Sequence, residues 1–77
     1  AMPAEFKCPD LGENIASGTV GRILVAEGAS VSANQPLFEL ETDKAVTEIP
    51  APSALTVVSL KVKEGDQVKV GQVLLTY

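Results

Sequence analysis

The chain has no histidine, no tryptophan and a single cysteine, Cys8. Phe6, Phe38 and Tyr77 are its only aromatic residues. Each shortage removes a class of chemistry. Without histidine, no Ser-His-Asp triad, Cys-His pair or His-based zinc site can be built within the chain. One cysteine cannot close an internal disulfide, so nothing here signals an oxidising compartment. Basic residues are scarce as well. Arg22 and the lysines form no run, and ten acidic residues leave a net charge of −4. A nucleic-acid partner would need a basic face, and none is visible. No apolar stretch approaches the ~20 residues of a membrane span, and no signal-peptide pattern opens the chain. A nucleic acid and a membrane are therefore not expected as partners.

The length of 77 residues describes one small domain, residues 1–77. Ala1 reads as a remnant of cleavage, with Met2 as the natural start. Surface scaling gives roughly 4,500 Å² folded against roughly 11,600 Å² extended, so only about 60% is buried and the core is thin. A site on a small scaffold, used by other proteins, is the expected form of function.

What is present points to an all-β domain. Apolar runs are short, rich in Val, Ile and Leu, and cut by Gly, Pro, Asn, Asp and Ser. No window holds a helical period over three turns. Predicted strands cover Glu5–Cys8, Gly18–Ala26, Ser30–Val31, Leu37–Glu41, Val46–Ile49, Leu55–Val62, Gln67–Val68 and Val73–Tyr77. Turn signals every ~8 to 12 residues suit a small sandwich or barrel. Pro36 stands just ahead of the fourth strand, where its missing N–H does least harm.

The strongest organising signal is an internal repeat at an offset of 37 residues. Thr19 meets Thr56, Val20 meets Val57, Val25 meets Val62, and Glu27-Gly28 meets Glu64-Gly65. Val31, Gln35 and Leu37 then meet Val68, Gln72 and Leu74, with no gap. Two copies are too few for a solenoid. They predict a pseudo-symmetric domain whose halves bury small apolar faces against each other. Alternation predicts Val58, Leu60 and Val62 inward and Ser59, Lys61 and Lys63 outward. By the repeat, Ile23 and Val25 also point inward and Leu24 stays on the surface. Phe38, Leu40, Leu75 and Tyr77 form the matching inward set. Each Glu-Gly reads as a turn in which glycine supplies positive φ. Cys8 reads as a small buried residue of the first strand.

Between Leu37 and Ile49, two strand-like segments flank Thr42-Asp43-Lys44-Ala45. Thr and Asp form turns through side-chain hydrogen bonds to the backbone. Lys44 is thus expected exposed at the tip of a hairpin, the only base among Glu39, Glu41, Asp43 and Glu48. The repeat carries this hairpin onto the two chain ends, so Lys44 and the termini should lie at opposite ends of the molecule.

With Glu41-Thr42-Asp43-Lys44-Ala45, Val46, Glu48-Ile49-Pro50-Ala51-Pro52, Pro9-Asp10-Leu11-Gly12-Glu13, Gly28 and the stretch from Val62 to Val68, the chain resembles the lipoyl domains of the dihydrolipoamide acyltransferase component of 2-oxo acid dehydrogenase complexes. The resemblance covers about Phe6 to Tyr77. It implies a flattened barrel of two four-stranded antiparallel sheets. It implies lipoic acid in amide linkage to Lys44, with Glu41, Asp43 and Ala45 placing the lysine for the lipoylating enzyme. The domain would then be a non-catalytic swinging-arm carrier, acylated by a thiamine-diphosphate decarboxylase component and delivering to the acyltransferase core for transfer to coenzyme A. Dihydrolipoamide dehydrogenase would reoxidise the arm, and a lipoate ligase or lipoyl transferase would attach it. The loop Leu11–Ala16 would lie beside the turn, with Glu13, Asn14 and Ile15 as candidates for partner recognition. A flexible linker would follow Tyr77, and the isolated domain would be a monomer. The location implied is the cytoplasm of a bacterium or the mitochondrial matrix of a eukaryote.

One position departs from the family, which usually has glycine where this chain has Leu55, opposite Gly18 in the repeat. If that position needs positive φ, leucine costs roughly 1 kcal/mol or more. Three rival readings have their own signatures. Biotinyl domains usually flank the lysine with methionines, and here the neighbours are Asp43 and Ala45. A non-carrier adaptor usually has a helical hairpin between its halves, for which this chain has no room. A free-standing enzyme lacks the residues it would need. The type of complex stays open between pyruvate, which is favoured, branched-chain and 2-oxoglutarate.

Overall fold

Short apolar runs cut by turn residues fold as nine strands among the described residues, with no helix. The structure is a computed structural model that describes residues 4–77. Ala1 and Met2, and the reading of Met2 as the start, lie outside the described residues. The strands are β1 (Glu5–Lys7), β2 (Ser17–Ile23), β3 (Ser30–Val31), β4 (Pro36–Glu41) and β5 (Val46–Pro50). They continue with β6 (Leu55–Thr56), β7 (Ser59–Leu60), β8 (Gln67–Lys69) and β9 (Val73–Thr76). All pairings are antiparallel. The accessible surface is 4644 Å², close to the value expected from mass alone.

One sheet has the order β5-β4-β2-β8. Its partner is β1-β9-β7, with β3-β6 beside it. The repeat explains the second arrangement. Ile23 pairs with Phe38 as Leu60 pairs with Leu75, and Thr19 pairs with Gln67 as Thr56 pairs with Ser30. β6 and β7 together are therefore the counterpart of β2, interrupted at Val57 and Val58. Joined, they make the second four-stranded sheet, β1-β9-β7/β6-β3, and a flattened barrel of two such sheets.

The interruption is a bulge, and it corrects one expectation. In β2 the register shifts between Val20 and Arg22, at Gly21. The counterpart of Gly21 is Val58. An extra residue at a bulge reverses the in/out alternation beyond it. Val57 is accordingly buried and Val58 is 53% exposed, where strict alternation had Val58 facing the core. Ser59 and Leu60 are both half-buried, and Val62 returns to the interior. Similar irregularity around Pro36 to Phe38 lets adjacent Leu37 and Phe38 both be fully buried.

The core runs the length of the molecule and joins both halves: Val20, Leu37, Phe38, Leu40 and Ile49 meet Val57, Val68, Leu74 and Leu75. Leu24 stays 40% exposed, as the repeat requires. Two carboxylates stitch the halves reciprocally. Glu64 Oε2 accepts the Ile23 N–H at 3.1 Å and Glu27 Oε2 accepts the Leu60 N–H at 2.9 Å. Both Glu-Gly turns form, with φ of +88° at Gly28 and +94° at Gly65. Leu55 is not among the residues with positive φ, so the leucine there carries no backbone strain.

Candidate functional site

The hairpin β4-β5 is built on Leu40, Phe38 and Ile49, all buried, with Leu40 paired to Thr47 and Glu41 to Val46. Four residues at its tip reverse the chain. Thr42, not Asp43, closes the turn with its side chain. Its N–H donates to the Ala45 carbonyl at 2.9 Å and its hydroxyl donates to the same oxygen at 3.1 Å. The hydroxyl oxygen also accepts the N–H groups of Lys44 and Ala45, each at 3.2 Å. Threonine suits this because its hydroxyl reaches backbone groups two and three residues on. Lys44 is held from below while its side chain stands in solvent, beside exposed Asp43 and Ala45.

The surroundings are acidic. Across the sheet, Arg22 faces Glu39 and Glu39 faces Glu48. The Glu41 side chain lies over Gly21, its Oε2 3.0 Å from where a Cβ on that glycine would stand. The bulge glycine thus makes room for the carboxylate nearest the turn.

The loop Leu11–Ala16 does lie beside the turn. A groove of about 430 Å³ separates them, lined by Asn14, Ile15 and Ala16 on one side and by Glu41, Thr42 and Asp43 on the other. Its floor is the start of β2, with Gln67 at one end. Of the loop candidates, Asn14 and Ile15 line the groove and Glu13, exposed, does not. Asn14 adopts φ +64° and Ile15 packs against the core. Asp10 Oδ1 accepts the Gly12 N–H at 3.0 Å and starts the loop. Sequence reasoning missed Gln67 and Gly18 here. Their signal is in strand pairing, Thr19 with Gln67 and Glu41 and Gly18 with Val68, and not in any local motif.

The far end of the molecule holds Ala4 and Tyr77, the first and last described residues. Ala4 and Tyr77 exchange N–H···O bonds of 2.6 and 2.8 Å. Strand β2 starts at the lysine end, where Thr19 pairs with Glu41. Beyond its other end, the Gly28 N–H donates to the Val57 carbonyl at 2.7 Å, and the next residue, Val58, bonds Thr76. The lysine turn and the Ala4–Tyr77 pair are thus separated by the full run of β2 and more. Cys8 is buried and does not line the groove, and burial raises its thiol pKa above the ordinary value.

The biotin/lipoyl family, described as "biotin-requiring enzyme", matches residues 4–77. The dihydrolipoyllysine-residue acetyltransferase component of the pyruvate dehydrogenase complex of Mycoplasma genitalium is 44% identical over 73 residues, covering 95% of this chain and 19% of that protein. The dihydrolipoyllysine-residue succinyltransferase component of the 2-oxoglutarate dehydrogenase complex of Bartonella vinsonii is 41% identical over 73 residues, covering 95% and 18%. The chain thus spans about a fifth of the length of these curated relatives. The solution structure of the lipoyl domain of the 2-oxoglutarate dehydrogenase complex from Azotobacter vinelandii superimposes with a TM-score of 0.74 at 32% identity, covering 95% of this chain and 92% of that one. Matched across all the described residues, and superimposed on a lipoyl domain over nearly all of that domain's length, the chain belongs to the biotin/lipoyl family as one of its lipoyl domains.

Proposed function

We propose that Lys44 is the lipoyl attachment residue of a non-catalytic carrier domain serving a 2-oxo acid dehydrogenase complex, of the pyruvate type. The observation that carries this reading is the exposed Lys44 at the tip of a Thr42-closed turn, at the opposite end from the paired Ala4 and Tyr77. Lipoyl domains hold lipoic acid on a lysine, and an amide link needs an accessible amine on a support that does not yield. The residues fit that group. When bound, it supplies a dithiolane that takes up an acyl group with reduction and releases it to coenzyme A.

The chain's own residues supply placement. Thr42 fixes the backbone of Lys44, while Glu41, Asp43 and Ala45 present a defined turn to the ligase. The loop across the groove, with Glu13, Asn14 and Ile15, offers a second surface to the decarboxylase component. Tethering from the far end raises the effective concentration of the arm at each partner without new contacts. Similarity to an acetyltransferase component favours pyruvate over 2-oxoglutarate as the parent substrate.

Expression with lipoate and a lipoate ligase should add one lipoyl amide, mapped to Lys44 by peptide mass, and Lys44→Arg should abolish the gain. An unmodified wild-type chain, or incorporation of biotin instead, overturns the reading. Reductive acylation should be fastest with the pyruvate decarboxylase component. A faster rate with the branched-chain or 2-oxoglutarate component reassigns the complex.

A further inference from the structure

Besides the lysine turn itself, the two ends of the pseudo-symmetric barrel differ in the segment that leads into β2 and its counterpart. Cys8 and Ala51 are equivalent: Cys8 exchanges backbone hydrogen bonds with Gly71 and Gln72 as Ala51 does with Asn34 and Gln35. Gly18 and Leu55 are equivalent too, paired with Val68 and Val31. Between Cys8 and β2 run the eight residues Pro9–Ala16, whereas only Pro52 and Ser53 separate Ala51 from Ala54, the counterpart of Ser17. The extra residues form the loop beside the lysine turn.

Gly18 and Leu55 differ in how their side-chain space is filled. At the far end, half-buried Leu55 packs its own side chain against the core. At the lysine end Gly18 has no side chain to offer, and Leu11 of the loop takes the space. Leu11 is 9% exposed, with its Cδ1 3.6 Å from where a Cβ on Gly18 would stand. The same point lies 3.1 Å from the Glu41 carbonyl oxygen and 3.5 Å from Thr42 Cγ2. Loop, strand and the base of the lysine turn therefore meet at one missing side chain. The loop's exit is fixed by Val70, whose N–H donates to the Ala16 carbonyl at 3.0 Å. Its Asp10–Gly12 and Gly12–Ile15 bonds are internal and shape it without tying it to the barrel.

We propose that Leu11 seated on Gly18 is a lock that sets the loop's entry against the lysine turn, so that both are positioning residues for recognition of that turn by the decarboxylase component. This rests on the carrier reading above. The lock makes the spacing between Asn14, Ile15 and Lys44 a property of core packing, protected from the loop's own freedom.

The test uses the chain lipoylated on Lys44, as wild type, Leu11→Ala and Leu11→Ile, with whichever decarboxylase component acylates the wild type fastest. In amide correlation spectra, Leu11→Ala should shift the Gly12–Ile15 and Thr42–Ala45 signals and leave β3 and β6 in place. KM for the domain should rise about tenfold with kcat within about twofold, the pattern of lost binding and intact chemistry. Leu11→Ile should restore KM. Gly18→Ala crowds the slot without opening a cavity and should shift the same two groups of amides, which keeps the test valid if Leu11→Ala unfolds. Unmoved loop amides, or an unchanged KM despite a moved loop, overturn the lock. Failure of the wild type to accept lipoate overturns the carrier reading instead, and the amide spectra still decide the lock.

Discussion

Thr42 shows how much one side chain can organise at a solvent-facing tip. One hydroxyl serves three backbone groups of the turn that presents Lys44. Thr42→Val keeps the shape and removes those bonds. It should cost about 1 kcal/mol in urea unfolding and slow lipoylation, while Thr42→Ser stays close to wild type. Cys8 answers a different question. Its buried thiol is held above the ordinary range, so the folded state keeps its proton where the unfolded state loses it. The stability this gives is complete below the unfolded thiol range, about 8.5, and is lost as pH climbs past it. Wild type should therefore lose more stability than Cys8→Ala between neutral pH and pH 10, read from urea midpoints. Native Cys8 should resist iodoacetamide until the chain unfolds. The exposure of Lys44 and the burial of Cys8 were both legible from residue type and neighbours. The lining of the groove was not, because Gln67 and Gly18 reach it through pairing between distant strands.

Among the elements, the broken strand β6/β7 marks where local reading stops. Turns and strand centres followed from glycine, proline and β-branched runs, and the repeat carried both Glu-Gly turns correctly. Alternation alone could not locate the bulge, since Val57-Val58 has no glycine to mark it. Gly21 at the equivalent position held the needed signal in the other half. The consequence is measurable. Val57→Thr places a hydroxyl in the core and should cost about 2 kcal/mol, whereas Val58→Thr should stay within about 0.5 kcal/mol. The opposite order would return Val58 to the interior and refute the bulge. Asn34 shows the repeat tolerating a change of residue under one backbone demand. At φ +68° it stands where the other half has Gly71 at +89°. Asparagine is one of the few residues that visit this region readily.

For the whole molecule, the lack of histidine fits the carrier reading proposed above, in which the reactive group is attached at Lys44 and not encoded. Amidation of Lys44 removes one positive charge, taking the formal net charge from −4 to −5. Lipoylated chain should migrate further toward the anode on a native gel than its unmodified form, and Lys44→Gln should co-migrate with the lipoylated species. Equal mobility of modified and unmodified chain would place the modification elsewhere than on an amine. Ala4 and Tyr77, paired to each other at the end remote from Lys44, also give the barrel a mechanical part. Seven-residue β2 alone spans about 20 Å between the two ends. That equals the root-mean-square reach of a flexible Gly-rich segment of about a dozen residues. Whatever is joined at either terminus, the folded body acts as a stiff boom, extending the radius the lysine can sweep without the entropy that the same length of loose chain would add.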